Sequence, residues 1–222
     1  FLSLQEERYI ALLEKQLQLS ASTFRFPPLE GSITYDASKR EIFAFLFGIA
    51  RNVLTQILAL FPVHKDVLSL QEQLQRAQTE PLFLHPDEPF SAGQSFSGSF
   101  FNLFHYDYGC LNTHKDRYLV TVIAARSLQD MTPRSSLWVL SPKGEWCNVD
   151  QLLPADALVV LIGEELSALA QECGISLPAS DHCIRVDPAG EYIPHSHHRR
   201  DPQTPERDNR RSIAFVLGAG HG

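Results

Sequence analysis

The chain of 222 residues is poor in cysteine, has no surplus of basic residues and contains no long uninterrupted apolar run. Its four cysteines, Cys110, Cys147, Cys173 and Cys183, show no C-x-x-C spacing. In a chain of this size that pattern argues against a disulfide framework, so reduced thiols and a cytoplasmic location are expected. Lysine and arginine total 19 against 26 aspartate and glutamate, a formal net charge of −7. Nucleic acid as the main partner normally calls for a basic face, so this balance argues against it. The most apolar stretch, "EIFAFLFGIA", is cut off by Arg51, and no membrane-spanning segment is expected. No internal repeat is present. The sequence starts at Phe1 with neither a signal-peptide pattern nor an initiator methionine, and reads as a fragment that could have lost a targeting segment.

What is present is ordinary for a globular protein: 44% hydrophobic and 20% charged residues. The length suffices to bury a sizeable core, as one large domain or as a β-domain with a helical extension. The first ninety or so residues read mainly as helix. "LSLQEERYIALLEKQLQL" repeats apolar residues at three- and four-residue spacing. "TFRFPPLEGS" breaks the pattern with a proline pair and a glycine. Asp36 is a candidate N-cap for "ASKREIFAFLFGIARNVLTQILALF", whose apolar stripe is rich in phenylalanine. "HKDVLSLQEQLQRAQ" predicts a shorter amphipathic helix, and "PLFLHPDEPFSAGQSFSGS" a connector.

After about residue 99 the texture changes to short β-rich runs separated by turn residues. These are "SFFNLFHYDYG", "YLVTVIAA", "SSLWVLSP", "GEWCNV", "DALVVLIG", "DHCIRVDP" and "RRSIAFVLG". Strands at this spacing suggest a sandwich or barrel. The expected architecture is α+β: a helical part, residues 1–98, packed on a β-domain, residues 99–222. Residues 188–209, polar and charged, read as a long loop between the last two strands.

Two short patterns carry chemistry. "NTHKDRYLVTVI" sets His114 and Asp116 two apart, and on a strand such residues project from one face. An imidazole and a carboxylate on one face suit Fe(II) and other divalent metals, and a second histidine would complete a facial triad with open positions. Alone the pair is weak in a chain with nine histidines, and a surface pair at a strand start is the bland alternative. "RRSIAFVLG" sets Arg210 and Ser212 two apart on a late strand. A guanidinium grips a carboxylate bidentately, and a neighbouring hydroxyl adds a hydrogen bond. Its bland alternative is a charged residue leading into an edge strand.

Taken together, these motifs resemble the isopenicillin N synthase-like branch of the 2-oxoglutarate- and Fe(II)-dependent oxygenases. That branch carries H-x-D-x-G-[LF]-[LI]-T-[LIV], a distal histidine, then R-x-S with a small residue and Phe. "HKDRYLVTV" matches the first, with Thr121 at the motif's threonine, and "RRSIAF" matches the last. "LWVLSPKGEWCNV" and "DALVVLIGEEL" are similar to intervening stretches, and in "LFHYD" Tyr106 matches a tyrosine that contacts 2-oxoglutarate. The resemblance covers roughly residues 99 to 220. Tyr118 stands where the family has glycine, Phe104 where it has asparagine, and the family's N-terminal module is not recognisable in residues 1–98.

The resemblance implies a double-stranded β-helix, or jelly roll, holding Fe(II) through His114, Asp116 and a distal histidine. His182, at the start of an alternating apolar run in "ASDHCIRV", is the preferred third ligand. His197 or His198 lies nearer R-x-S, but nothing apolar follows them, so with His195 they read as a solvated loop. His64, His85, His105 and His221 have no partner pattern, and Cys110 and Cys183 are expected to be buried small hydrophobes. Arg210, Ser212 and Tyr106 would bind the cosubstrate 2-oxoglutarate, with O2 the second cosubstrate and succinate and CO2 the products. A small or medium organic molecule would be hydroxylated, selected by the Phe-rich helices and the 188–209 loop at the mouth. Two other classes remain open: a degenerate jelly roll that binds without turnover, and a cupin-like metal enzyme that does not use 2-oxoglutarate.

Overall fold

The computed structural model describes residues 37–78, 96, 99–106, 111–126, 135–154, 157–186 and 210–219. The helix expected over residues 2–19, the Asp36 cap, the connector around residue 85 and the 188–209 loop lie outside these, as do Cys110, His85, His195, His197, His198 and His221. Four helices and eight strands follow one another in the described residues. They run α1 (Ala37–Leu58), α2 (Lys65–Arg76), β1 (Phe100–Tyr106), β2 (Leu111–His114), β3 (Val120–Arg126), β4 (Ser135–Leu140), β5 (Trp146–Asn148), α3 (Val149–Leu152), β6 (Leu158–Ile162), α4 (Glu164–Glu172), β7 (His182–Val186) and β8 (Arg210–Leu217).

The strands form two four-stranded antiparallel sheets, ordered β1-β8-β3-β6 and β2-β7-β4-β5. The pairs β1·β8, β2·β7, β3·β6 and β4·β5 are all neighbours, so the eight strands pair as one long hairpin folded across two sheets. The molecule is thus α+β with antiparallel sheets, neither of them closed into a barrel.

The central strands of the first sheet, β3 and β8, are buried on both faces. Val120, Val122 and Ala124 of β3, with Ile213, Phe215 and Leu217 of β8, cluster with Phe43, Leu46, Phe47 and Leu54 of α1. Ring contacts bind that cluster: Phe215 meets Phe43 edge-on at 5.0 Å and Phe47 at 6.3 Å, and Phe47 meets Phe96 at 6.0 Å. The residues of opposite parity, Ile123 and Ala214, pack towards Leu137 and Ile184 of the second sheet. Strands covered on both sides read as near-continuous apolar runs rather than strict alternations, which is the texture of "LVTVIAA" and "SIAFVL".

Two expectations are corrected here. Residues Glu41–Leu58 are, by length and composition alone, long and apolar enough to cross a membrane despite Arg51. In the fold their stripe Ile42, Phe43, Leu46, Phe47, Ala50, Leu54 and Leu58 is buried against the sheet. The phenylalanines of this helix also do not border the mouth of the sandwich. They cover the outer face of the first sheet, because side chains alternate along β3 and β8 and α1 takes the outward set. Of the cysteines, Cys147, Cys173 and Cys183 are unbridged, and Cys183 is buried as a small hydrophobe.

Phe215 sits at the centre of the ring cluster, so Phe215→Ala is expected to cost about 3–5 kcal/mol of stability, read as a lower urea midpoint at unchanged slope. A loss under about 1 kcal/mol would show that α1 does not pack on the sheet as described.

Candidate metal centre

Two strand ends and a turn bring the site together. His114 closes β2 and lies in register with His182, the first residue of β7. Asp116 lies beyond β2, in the turn to β3, so the expectation that His114 and Asp116 share one strand face does not hold. They converge because the chain turns back at residues 115–119, and an irregularity between Leu111 and His114 shifts the strand just before the turn.

His114 Nε2 lies 3.8 Å from Asp116 Oδ1, and His182 Nε2 lies 3.9 Å from Asp116 Oδ2. These separations are too long for hydrogen bonds. The imidazole rings stand 4.2 Å apart, and one ligand atom from each of the three residues lies within 4.8 Å of the others. Among the described residues this is the group of histidine, cysteine and carboxylate side chains that can hold a metal ion.

Each ligand is oriented from behind. His114 Nδ1 is 2.8 Å from the Asn112 carbonyl, and His182 Nδ1 is 3.0 Å from the Ser180 carbonyl. A carbonyl only accepts, so each Nδ1 carries the proton and each Nε2 keeps its lone pair. Thr121 donates its hydroxyl to Asp116 Oδ2 at 2.5 Å. Lys115 pairs with Asp181 at 3.5 Å, tying the turn that carries Asp116 to the residue before His182.

The turn itself is gripped by the β6–α4 corner. Gly163 N–H donates to the Leu119 carbonyl at 3.0 Å, Glu164 N–H to Asp116 at 2.8 Å and Glu165 N–H to Arg117 at 3.0 Å. The first amides of α4, which have no partner inside the helix, are thus satisfied by the metal-site turn. Gly163 is needed for this approach: a Cβ there would stand 1.7 Å from the Tyr118 carbonyl oxygen.

A cavity of about 150 Å³ opens beside the triad between the two sheets. The first sheet contributes Phe100, Thr121, Ile123, Ser212, Ala214 and Val216, and the second Leu111, Leu137 and Ile184. Tyr118 lines it too, its ring edge-on to Phe100 at 5.4 Å. Ser212 is buried at 4% exposure and shares this cavity with His114, Asp116 and His182. Arg210 opens β8 and lies in register with Tyr106, the last residue of β1, so the expected cosubstrate residues are backbone neighbours two positions from Ser212. Their side chains, and that of His105, are outside the described residues. His64 stands apart at the start of α2, 3.6 Å from Asp66. Sequence reasoning missed Tyr118 and Phe100 as cavity walls, Gly163 and Ser180 as supports of the site, and the α4 helix altogether.

Burial is the main influence on His182 and lowers its pKa from the ordinary 6.5, outweighing the Ser180 carbonyl bond and the charge of Asp116, which both raise it. The imidazole is thereby kept neutral, the form that binds a metal. The folded group resists a proton that the unfolded one accepts, so its contribution to stability is present above pH 6.5 and is lost as pH falls through the lowered value. Chemical denaturation of metal-free protein between pH 7.5 and 5 is expected to show stability falling below about pH 6.5, with a shallower fall in His182→Gln. Equal slopes in the two proteins would remove His182 as the titrating group. In comparisons with known proteins, no family model matches the chain and no curated protein matches it.

Proposed function

We propose that this chain is a non-haem Fe(II)- and 2-oxoglutarate-dependent dioxygenase that oxidises, by default hydroxylates, a small or medium organic substrate. The observation that carries the reading is the convergence of His114, Asp116 and His182 on one point of a cavity that Ser212 also lines. The resemblance of residues 99 to 220 to the isopenicillin N synthase-like oxygenases names His114, Asp116 and Ser212, with His182 preferred over His197 or His198 as the distal histidine. The pairing of eight strands as one hairpin folded over two sheets supports a jelly-roll framework, in which two Greek-key connections produce that order.

The donor set fits the ion. Two neutral imidazoles and one carboxylate are the donors of a facial triad, and no cysteine lines the cavity among the described residues. Bound there with 2-oxoglutarate and O2, Fe(II) supplies the oxidative chemistry, in which decarboxylation to succinate and CO2 is coupled to oxidation of a C–H bond.

The chain's own residues do the positioning. His114 and His182 present Nε2 because the Asn112 and Ser180 carbonyls hold Nδ1. Thr121 turns the Asp116 carboxylate towards them. Ile123, Leu137, Ile184, Ala214 and Val216 form an apolar wall that limits water around the reacting groups. Arg210 and Ser212, with Tyr106 opposite Arg210 in register, bind the distal carboxylate of 2-oxoglutarate.

The test is succinate formation from 2-oxoglutarate by protein loaded anaerobically with Fe(II) and then exposed to O2. Succinate is expected only with both iron and cosubstrate present. Loss of a charge-assisted pair in Arg210→Ala should raise the half-saturating 2-oxoglutarate concentration by about 10- to 100-fold. His114→Ala and Asp116→Ala are expected to abolish stoichiometric iron retention. An unchanged 2-oxoglutarate dependence in Arg210→Ala would remove the cosubstrate assignment. Stoichiometric iron without succinate would point to metal chemistry of another kind.

A further inference from the structure

One corner of the fold reaches both halves of the metal centre. β6 is an edge strand of its sheet, and at Ile162 its outward N–H and C=O are both taken by a single residue. Ser180 N–H donates to the Ile162 carbonyl at 2.9 Å, and Ile162 N–H donates to Ser180 Oγ at 3.1 Å. The Ser180 carbonyl then accepts from His182 Nδ1 at 3.0 Å. Immediately after Ile162, Gly163 packs without a side chain against the turn that carries Asp116, and Glu164 N–H donates to the Asp116 carbonyl at 2.8 Å.

We infer that Ser180 is a positioning residue for the metal centre, and that its hydroxyl couples the geometry of His182 to that of Asp116 through the Ile162–Glu164 corner. Between the His182 ring and the Asp116 turn, the Ser180 hydroxyl is the side-chain link in this relay; the bonds from Ser180 N–H to Ile162 and from Glu164 N–H to Asp116 are backbone bonds. A serine there fixes the height of its own carbonyl relative to β6, and that carbonyl sets where His182 Nε2 points. The same corner sets the position of the Asp116 backbone. A ligand on the second sheet and a ligand in the turn between the sheets are therefore registered against one edge strand rather than against each other. The inference rests on the proposed metal site and is independent of which cosubstrate is used.

The test uses the whole chain with Co(II) as the probe, measuring affinity and the visible absorption of the bound ion. Partners of metal-ligating histidines typically contribute 10- to 100-fold in affinity. Ser180→Ala is expected to weaken Co(II) binding about tenfold and to alter the absorption band, while Ser180→Thr, which keeps the hydroxyl, restores both. A role limited to capping the edge strand would lower thermal stability and leave the band and affinity within about twofold; that outcome overturns the inference. So does equal weakening in the alanine and threonine variants.

Wild-type protein gives a second reading if the alanine variant fails to fold. Saturating Co(II) should slow amide exchange at Ile162 and Glu164, because coupling between site and corner is reciprocal. Exchange unchanged at both amides overturns the coupling. Wild-type protein that binds neither Co(II) nor Fe(II) sinks the metal-site reading itself, whereas a binding wild type with an unaffected Ser180→Ala sinks the positioning role alone.

Discussion

In the sheet β1-β8-β3-β6 the central strands β3 and β8 are covered on both sides, and that double burial determines where a site can form. Outside, α1 lays Phe43 and Phe47 against Phe215, and α4 adds Leu166 to the same cluster. Inside, the second sheet packs through Leu137 and Ile184. Each inward position of β3 and β8 therefore has a counterpart that anchors its strand from behind: Thr121 lies between Val120 and Val122, and Ser212 beside Ile213, all of them buried. Polar groups held in strands this well packed keep their positions, because moving one would open space in a core that is close-packed on the other face. α1 backs the inner face of β3 and β8 from the opposite side of the sheet.

The metal ligands do not sit on that rigid sheet. His114 and His182 come from the second sheet, and Asp116 from the turn that crosses between the two. The fold meets this problem with backbone contacts. Leu119 N–H donates to the Leu217 carbonyl at 3.1 Å, Gly163 abuts Tyr118, and the opening amides of α4 hold residues 116 and 117. Since Leu166 of α4 is buried in the same cluster as the α1 side chains, the turn is tied through one short helix to the largest apolar cluster among the described residues. Glu164 and Glu165 in the first turn of α4 complement its dipole and reinforce that attachment.

How much of this could be read from sequence depended on which physical signal each element carries. α1, α2 and the strands with apolar runs were legible because long periodic stretches express burial directly. β2 was not: "LNTH" is four residues, largely exposed, paired irregularly to one neighbour, and has no alternation to display. α4 was missed because it spans nine residues and its N-cap is Gly163 rather than a serine, threonine or aspartate. Its cap is the Asp116 turn, a partner nearly fifty residues away that no local pattern reveals. His114, Asp116 and His182 were singled out, but for a partly mistaken reason, since a shared strand face was invoked where a chain reversal brings them together. The support by Ser180 and Gly163 was illegible, because it consists of long-range bonds and a close backbone approach whose partners only the tertiary structure defines.

The tautomers make the strongest electrostatic case for a cation. With both Nδ1 protons committed to carbonyls, two lone pairs face the carboxylate of Asp116 across 3.8 and 3.9 Å. Protonating an Nε2 would convert that opposition into an ion pair, but for His182 burial works against the charged form. Thr121 removes part of the strain by donating to Asp116, yet it reaches only one oxygen. A divalent ion satisfies both imidazoles and the carboxylate at once, and it does so without placing an isolated positive charge on a buried ring. Burial disfavours the charged form of His182, and the orientation fixed by Asn112, Ser180 and Thr121 gathers two imidazoles and a carboxylate into a donor set that could hold a divalent ion.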